Sequence, residues 1–561
     1  MFLRGTNSYQ TSVNWNGFLL NSLTLGTMDL SAIPTAAAED ISVVHGASGT
    51  IAGSGNFGGA ILLHNKADWN NKLHIGLQSE LGTYDNRHFS FTGKVGNPWV
   101  QYQVLLFSHQ AENNFRYTDI FKMGNPVDKI KNNALDNKGF IQNLFIRLPK
   151  SNNLETGIWY QVRQKQIPAI MGSYLPAKAM QNDSSLRIYA KWTKLWDRSS
   201  FSIGTAVFDE LMQYRDRSIP STENYYIDSK IKTSRLMGDL NYRIWLLHFL
   251  SADGGMSFSS LSANVDAYGQ KINENQLAAI TAMKLSLSGF TGNVSARKEF
   301  HSSTDIPFML AFGASKDLPL KGMAIKFSYA DQFRVPAFND KYWQPGGNPD
   351  LLPESGFTTD MGVMQDFNPE KDNELILELN AYYSVINNMI QWIPSGTGTW
   401  WKPENRREVT VRGLEASVSA AVKVRDYRFG FNGCYNFSNP VITKTYNGND
   451  ANTGNKLSYV PSSTASASTS FESKKLYLGL TGNFTSNRYT GDDNNPVFMM
   501  PSFLVFNGYA GYQVKAGDVS GRLQFKVMNL FNREYMAVRS YPMPGRTIHI
   551  SFSFDFSANN T

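Results

Sequence analysis

The segment RTIHISFSFDF (residues 546–556) decides the fold, because apolar and polar side chains alternate along it without interruption. One face carries the apolar side chains of Ile548, Ile550, Phe552, Phe554 and Phe556. The other face carries Thr547, His549, Ser551, Ser553 and Asp555. Successive side chains of a β-strand point to opposite faces, so this pattern predicts an amphipathic strand.

The same alternation recurs along most of the chain. It is clear in LRIYAKWTKLW (186–196), MAIKFSYADQF (323–333), ELILELNAYY (374–383) and KLYLGLTGNF (475–484). Some connections are tight, as in KVGNPW (94–99), and others are long and polar, as in NGNDANTGN (447–455) and NRYTGDDNNPVFMMP (487–501). Tight turns that alternate with long loops predict an up-and-down antiparallel meander with two different ends.

Composition excludes several classes of protein. Of the 561 residues 18% are charged, which is below the ~25% of ordinary soluble domains, so an average soluble enzyme fits poorly. Abundant aromatic and β-branched residues exclude disorder. The densest apolar stretch, Trp245 to Leu250, is far shorter than the ~20 residues of a membrane-spanning helix. The net charge of +7 is modest and its basic residues are scattered, so no nucleic-acid partner is predicted.

A transmembrane β-barrel explains this pattern best. In lipid every backbone N–H and C=O must be paired within the protein, so only helices and closed barrels can span. A barrel strand then has an apolar outer face and a polar lumen face. A soluble barrel would bury the same apolar face inside, and alternation alone does not separate the two cases. A propeller would show repeats of ~40–50 residues, and we find none.

The first 65 residues form a different unit. They are richer in Gly, Ala, Ser and Thr, and their alternation is broken. TSVNWNGFLL (11–20), DISVVHG (40–46) and GGAILLH (58–64) predict three short strands. Pro34 and the alanines after it predict a short helix from Thr35 to Asp40. We therefore expect a small α+β piece ahead of the barrel.

A glycine motif at residues 53–58 fits G-x-G-x-x-G, the pattern of dinucleotide-binding loops. In such loops the third glycine opens a helix, but here it opens the strand-like GAILLHN (59–65). The motif is therefore interpreted as a glycine turn at which the backbone passes close to a neighbour.

Other candidate chemistry is weak. The eight His residues lack metal-ligand spacing, and the lone Cys434 excludes a disulfide framework and a Cys-based zinc site. Glu374 and Glu378 are interpreted as solvated lumen charges. The DDNN segment (492–495) lacks the closing Glu of a calcium loop and is interpreted as an exposed loop. The sequence predicts no catalytic site, no resident metal and no cofactor, and so no enzyme.

Aromatic residues in two predicted loops are more informative. Tyr342 and Trp343 lie in NDKYWQPGGNPDLLPE (339–354), while Trp400, Trp401 and Arg406 lie in SGTGTWWKPENRRE (395–408). Aromatic faces and Arg together suit a large, partly aromatic, anionic ligand through stacking and cation–π contacts. The alternative is an aromatic belt that anchors strand ends at the membrane interface.

These residues together resemble the TonB-dependent receptor family. The segment from Arg4-Gly5 to the glycines at 53–59 resembles the second half of its plug domain. Its landmarks are the Asn16-Gly17 turn, Asp29-Leu30-Ser31, Ile33-Pro34 and Val43-Val44-His45-Gly46. The barrel resemblance rests on FRVPAFNDKYWQPGGNPDLLPE (333–354), VRGLEASV (411–418), SYVPSSTASAS (458–468), NLFNREY (529–535) and YPMPGR (541–546).

The resemblance implies an all-β fold: a large antiparallel transmembrane β-barrel of about 22 strands whose lumen holds a small, partial α+β plug. Residues 1–65 would be the C-terminal part of the plug domain and residues 66–561 the barrel. It further implies a receptor in the outer membrane that actively imports a bulky, scarce nutrient. Energy would come from a TonB-type inner-membrane complex.

The resemblance also implies roles for individual residues. Cargo would bind between the extracellular loops and the apical plug loop 21–26, so Asn21, Ser22 and Thr24 are expected to face it. Tyr342, Trp343, Trp400, Trp401 and Arg406 are the candidate loop ligands. Arg4 is expected to pair with inward-facing barrel carboxylates and so to seat the plug.

The expected cargo is a metal chelate. A ferric siderophore is the first candidate and cobalamin the second. A passive porin is the alternative from another class, but a porin would lack the plug-like residues 1–65; a soluble β-rich binding protein is a third. Compared with the family, the chain lacks a signal peptide, the partner-binding box and the first part of the plug, so an N-terminally truncated receptor is expected.

Overall fold

The computed structural model describes residues 3–45, 53–218, 227–367, 373–395, 400–446 and 451–559. The first part forms a four-stranded sheet of β1 (Thr11–Trp15), β2 (Phe18–Leu19), β3 (Asp40–Val44) and β4 (Gly59–His64). The sheet order is β2-β1-β4-β3, with β1 parallel to β4 and the other pairs antiparallel. The three segments predicted as strands are therefore confirmed, and the first of them folds into a hairpin.

Most of the remaining strands are long. They are β5 (Asn71–Gly82), β6 (Asn86–Gly96), β7 (Val100–Ala111), β8 (Arg116–Thr118), β9 (Val127–Lys129), β10 (Leu135–Leu148), β11 (Asn152–Ile167), β12 (Ala179–Trp196), β13 (Ser199–Asp216), β14 (Ile227–Leu247), β15 (Leu250–Val265), β16 (Ile272–Leu287), β17 (Phe290–His301), β18 (Met309–Asp317), β19 (Met323–Arg334), β20 (Glu354–Asp366), β21 (Glu374–Pro394), β22 (Trp401–Val424), β23 (Tyr427–Thr445), β24 (Ser463–Glu472), β25 (Leu476–Thr485), β26 (Phe503–Ala516), β27 (Val519–Met528), β28 (Met536–Val538), β29 (Tyr541–Pro542) and β30 (Thr547–Asn559). The α-helix of the described residues, α1 (Phe338–Tyr342), lies between β19 and β20.

Within the described residues, 22 of these strands close into a barrel. The order around it runs from β10 to β27 and continues through β30, β5, β6 and β7 back to β10. Short hairpins such as β8–β9 and β28–β29 lie outside the barrel sheet, in the loops. The predicted antiparallel meander is confirmed.

The two ends of the barrel differ, as the sequence predicted. Turns such as 149–151 and 425–426 are tight at the end where β5 begins. Loops such as 112–134, 335–353 and 529–546 are long at the opposite end. Transmembrane barrels carry short periplasmic turns and long extracellular loops, which orients the molecule.

The apolar faces of the strands point away from the barrel axis. In β30, Ile550 and Phe552 are 53% and 52% exposed, whereas Ser551 between them is 7% exposed. The same alternation exposes Leu377 and Leu379 of β21. This outer surface of Leu, Ile and Phe suits acyl chains, as the sequence predicted. No helix among the described residues is long and apolar enough to cross a membrane.

The four-stranded sheet lies inside the lumen, because its segment contacts the wall on several sides. Lys94 of β6 pairs with Glu39, and Arg163 of β11 pairs with Asp29. Arg235 of β14 donates to the Leu19 carbonyl oxygen. Further round the barrel, Glu354 of β20 accepts a hydrogen bond from Gln10, and Glu415 of β22 pairs with Arg4.

Aromatic packing reinforces the placement of the sheet. Trp15 of β1 is fully buried, with its ring centroid 5.5 Å from that of Trp159 and 5.0 Å from that of Tyr189, both nearly edge-on. Edge-to-face aromatic pairs of this kind add about 0.5–1.5 kcal/mol beyond the area they bury. This cluster joins β1 to β11 and β12 in one continuous core.

The predicted helix from Thr35 to Asp40 is wrong. That segment forms turns, and the nearest helical structure is a 3₁₀ turn at Leu30–Ala32, capped by Asp29, which accepts from the Ser31 N–H. An isolated helix of six residues is unfavourable, because nucleation costs more than so few hydrogen bonds return. Here Ala37 is buried in the core beside Trp15, so packing determines the local shape.

Candidate functional site

The Asn21 side chain fastens the apical loop of the plug, residues 21–26, to β1. The Asn21 amide oxygen accepts from the Val13 N–H at 2.8 Å. Its amide nitrogen donates to the carbonyl oxygens of Thr11 at 3.0 Å and Gly26 at 3.1 Å. Gly26 has a φ of +71°, which glycine adopts without a steric cost. Asn21, predicted to face cargo, is therefore buried and engaged with the backbone of the plug.

The exposed tip of this loop is apolar. Thr24 is 1% exposed and its hydroxyl lies 3.1 Å from that of Ser22. The Ser22 hydroxyl also accepts from the Leu25 N–H at 3.3 Å. Leu25 is 42% exposed. The predicted polar residues Ser22 and Thr24 thus form hydrogen bonds within the loop, and Leu25 is the side chain at its exposed tip.

A cavity lies between the extracellular side of the plug and one side of the wall. The plug residues that line it are Leu20, Ser22, Thr24, Leu25, Thr27, Met28, Asp29 and Ala32. The wall contributes residues near the extracellular ends of β11 to β14, which are Gln161, Arg163, Gln181, Asp183, Ser184, Ser185, Arg187, Glu210, Leu211, Met212, Ile231 and Thr233. We call this space the apical cavity.

One charged pair of the apical cavity joins plug and wall. Arg163 donates through Nη1 to Asp29 Oδ2 at 2.8 Å and through Nη2 to the Ser31 hydroxyl at 2.9 Å. Burial favours the neutral form of Asp29, but the Ser31 hydrogen bond and the Arg163 charge outweigh it. They lower the pKa of Asp29 to about 2.

A second charged cluster lies deeper in the wall. Glu210 lies between Arg187, at 2.6 Å, and Arg235, at 2.8 Å. Arg235 is almost fully buried and also donates to the carbonyl oxygens of Leu19 and Asn21. The two Arg side chains that line the apical cavity, Arg163 and Arg187, thus each have a carboxylate partner. The polar groups left for a ligand are mainly amides and hydroxyls, beside apolar Leu25 and Met28.

A barrel loop covers the other side of the apical loop. The first N–H groups of α1, at Phe338 and Asn339, donate to the carbonyl oxygens of Leu23 at 3.0 Å and Thr24 at 3.1 Å. The free N–H groups of a helix N-terminus need such acceptors. The loop 335–353 is therefore tied directly to the plug.

Two predicted loop ligands anchor this covering loop. The Tyr342 hydroxyl donates to Glu274 Oε1 at 2.6 Å, and Lys341 pairs with the same oxygen at 2.9 Å. Burial and the Glu274 carboxylate raise the pKa of Tyr342. Trp343 packs against an apolar cluster of β14 to β16. Both rings therefore face the wall inside the mouth, and neither belongs to a lipid-facing belt.

The other predicted loop ligands lie at the rim. Trp400 and Trp401 are exposed, and they approach the backbone of Gly346 in the covering loop. Arg406 is half-buried, and its carbonyl oxygen accepts from the Tyr446 N–H. Trp400 and Trp401 thus lie against the covering loop that carries Tyr342 and Trp343.

Arg4 lies at the plug–barrel interface on the far side from the apical cavity. It is buried, with Nη2 2.9 Å from Glu415 Oε2 and Nη1 3.5 Å from Asp360 Oδ2. Its guanidinium carbon lies 5.0 Å from the centre of the Tyr382 ring. The expected inward-facing carboxylates are present at this position.

The glycine motif forms the turn that its sequence predicted. Gly55, with a φ of +81°, donates its N–H to the Phe333 carbonyl oxygen of β19 at 2.9 Å. The Ser54 hydroxyl accepts from the Val335 N–H. The segment therefore fastens the plug backbone to the wall.

The interpretation of DDNN as an exposed loop is wrong for its first residue. Asp492 accepts from Arg407 Nη1 at 2.7 Å, from the Gln391 amide at 2.9 Å and from the Ser458 N–H at 2.9 Å. It therefore fastens two loops to β21 and β22. Among the described residues, no group of three or more His, Cys, Asp or Glu is placed to hold a metal ion.

Sequence reasoning missed the wall side of the apical cavity. Arg163, Arg187, Glu210 and Arg235 lie one on each of the four successive strands β11 to β14, so they are separated in the sequence but adjacent in the wall. The sequence does carry one signal for this site. Each of these neighbouring strands has a charged residue on its polar face, near the end that is extracellular in the barrel. Pairing registers were needed to bring them together.

A 22-stranded transmembrane barrel with an internal plug is the architecture of energised outer-membrane receptors rather than of open porins. The family model "TonB dependent receptor-like, beta-barrel" matches residues 4–530. The chain belongs to this family and is a protein of the outer membrane.

Several known proteins are similar to it. The vitamin B12 transporter BtuB of Vibrio vulnificus strain YJ016 is 26% identical over 447 residues, which is 76% of this chain and 67% of that protein. The vitamin B12 transporter BtuB of Photobacterium profundum is 22% identical over 99% of this chain and 86% of that protein. The siderophore receptor PirA from Acinetobacter baumannii superposes with a TM-score of 0.79 at 15% identity, over 99% of this chain and 91% of PirA.

Proposed function

We propose that this receptor imports a bulky metal chelate of low net charge, either a ferric siderophore or cobalamin, through contacts at the apical cavity. The observation that carries the proposal is the charge balance there. Arg163 is matched by Asp29, and Glu210 is shared by Arg187 and Arg235. Asp183 adds a further carboxyl group to the lining. A strongly anionic chelate would find no cation without a partner among the described residues of this cavity.

The groups that remain suit a ligand with many amide and carbonyl groups. Gln161, Gln181, Ser184 and Ser185 supply donors and acceptors, and Leu25 with its apolar neighbours supplies contact area. Ligand sites of this kind combine apolar surface with a few oriented polar groups. Cobalamin and neutral ferric hydroxamates both have this character. The vitamin B12 transporters among the relatives add support for cobalamin.

Of the residues predicted from sequence, we propose two kinds of contribution. Ser22 and Thr24 shape the floor of the apical cavity, with Asn21 holding their loop. Trp400 and Trp401 present rings at the rim, where stacking would slow the escape of cargo. Tyr342, Trp343 and Arg406 act through the position of the loops that carry them.

Transport also needs an external source of energy. The plug is fastened to the wall by Arg4, by the glycine turn and by the covering loop, so it closes the lumen to a bulky solute. We propose that Arg4 seats the plug and that a TonB-type complex of the inner membrane displaces it. The protein then acts as a transporter and not as an enzyme.

The test is a set of binding titrations on the purified receptor in detergent, in which tryptophan fluorescence reports binding. The ligands are cyanocobalamin, a neutral ferric trihydroxamate and a trianionic ferric tricatecholate. We expect saturable binding of one of the first two and at least tenfold weaker binding of the tricatecholate. Tight binding of the tricatecholate alone, or of none of the three, would contradict the proposal.

A further inference from the structure

A second cavity lies among the extracellular loops, away from the plug. It measures about 400 Å³, which is within the range of small-molecule sites. Its lining comes from the turn at Tyr84, from loops 112–134 and 168–178, and from residues 501–503 and 532–545. None of the described plug residues 3–45 and 53–65 belongs to this lining. We call it the loop cavity.

The loop cavity is preformed by specific hydrogen bonds. Asn529 accepts from the Arg533 N–H at 2.8 Å and donates to the carbonyl oxygens of Arg533 and Pro544. Asn532 accepts from the Arg546 N–H at 2.7 Å. These bonds fold residues 529–546, which contain the NLFNREY and YPMPGR motifs, into one compact loop.

Two further contacts tie this loop to its neighbours. The Thr118 hydroxyl donates to Glu534 Oε1 at 2.9 Å, and the Met171 N–H donates to the Ser540 carbonyl oxygen at 2.8 Å. The walls of the loop cavity are thus fixed to one another across three loops. A ligand would meet a site that needs little further ordering.

The charged side chains that line the loop cavity carry a net positive charge. Arg116 and Arg533 both line it, and both are exposed to solvent. Among the described residues, neither guanidinium has a carboxylate, carbonyl or aromatic partner. Glu534 is the one carboxylate in the described lining, and it accepts from Thr118. Two cations and one anion leave a single positive charge. Guanidinium groups match carboxylates well because they donate in a planar fork.

The rest of the lining is apolar and aromatic. The ring centroids of Phe503 and Tyr535 lie 4.7 Å apart, and the buried Met171 also contributes to the lining. Met543 and Ile120 complete this surface. Thioether and aromatic side chains form favourable contacts with flat rings.

We infer that the loop cavity is a second ligand site, which binds a small aromatic monoanion with a carboxylate as its charged group. Arg116 and Arg533 hold the carboxylate, and the Phe503, Tyr535, Met171 and Met543 side chains hold the ring. The site is separate from the apical cavity, because the two cavities share no lining residue.

The experiment uses the full chain in lipid nanodiscs, with 2-naphthoate as the probe and its uncharged analogue 2-naphthalenemethanol as the ligand control. Binding is measured by equilibrium dialysis. We expect saturable, one-to-one binding of 2-naphthoate and at least tenfold weaker binding of the alcohol. Absence of saturable 2-naphthoate binding, or equal binding of both compounds, would overturn the inference.

Variants locate the site. Arg116→Gln with Arg533→Gln should weaken 2-naphthoate binding at least tenfold, and Arg116→Gln alone should weaken it measurably. Met543→Trp should also abolish binding, since it fills the cavity without changing its charge. Arg546→Gln is the matched control, because Arg546 is exposed on the same loop but does not line the cavity. Unchanged binding in the folded double variant, or an equal loss in Arg546→Gln, would contradict the assignment.

Discussion

Arg4 illustrates how one buried charge can fix the position of a whole segment. Its guanidinium reaches Glu415 on β22 and Asp360 on β20, and so it links the start of the plug to two wall strands. Removing a partner from a buried charge leaves the other charge uncompensated, which is costly. The strength of this attachment therefore depends on the nearer carboxylate, Glu415.

Substitution of Glu415 tests this attachment. Glu415→Gln should destabilise the seated plug by about 1–3 kcal/mol, because Arg4 loses its closest charged partner. Asp360→Asn is the matched control and should cost less, since Asp360 is 3.5 Å from Arg4 against 2.9 Å for Glu415. The measurement is the urea concentration at which the plug becomes accessible to protease. Equal midpoints for both variants would argue against the pairing.

Asp29 makes the plug–wall contact sensitive to acid. Its pKa is lowered from 3.8 to about 2 in the folded protein, so its contribution is complete above about pH 4 and is lost as pH falls towards 2. Asp29→Asn should therefore lower the thermal unfolding temperature at pH 6, and the difference from wild type should shrink between pH 4 and pH 2. Arg163→Gln should reduce this pH dependence without abolishing it, because the Ser31 hydrogen bond also lowers the pKa of Asp29. A difference that stays constant over this range would contradict the assignment.

Among the elements, β25 offers the sharpest test of which strand face meets lipid. Leu480 is exposed on the outside, whereas its neighbour Thr481 faces the lumen beside Ser468 and Asn507. Leu480→Arg should cost about 2–4 kcal/mol near the midplane of the membrane. Thr481→Arg should be tolerated. Both variants are compared by the fraction of heat-modifiable, folded barrel in outer membranes. Equal folding of the two variants would contradict the assignment of Leu480 to the lipid-facing side and Thr481 to the lumen.

The sequence predicts the barrel strands better than it predicts the irregular segments of the plug. Alternation predicts β30 because each of its side chains has a local reason to face lipid or lumen. The segment from Thr35 to Asp40 lacks such a local rule, and burial of Ala37 among distant wall residues decides its shape. The apical cavity is similar, because it forms where Asp29 of the plug meets Arg163 of the wall, residues that are far apart in the sequence. Sequence patterns therefore predict the elements, but not the side-chain pairs that form between them.

In the whole molecule, the plug lies inside the lumen and is attached to the wall on several sides. The plug touches β6, β11, β14, β20 and β22, so the closed state depends on contacts distributed around the wall. The covering loop adds hydrogen bonds from α1 to Leu23 and Thr24. Cargo that displaces this loop would disturb the plug directly, which couples events at the mouth to the interior.

Ion conductance in planar lipid bilayers tests the plugged barrel most directly. The refolded full chain should be nearly silent, and a variant lacking residues 1–65 should form large, stable channels of uniform conductance. Glu415→Gln should show brief openings in mild urea before the wild type does. Large channels of the same conductance from the full chain and from the deletion variant would contradict the account, because the first 65 residues would then not close the lumen.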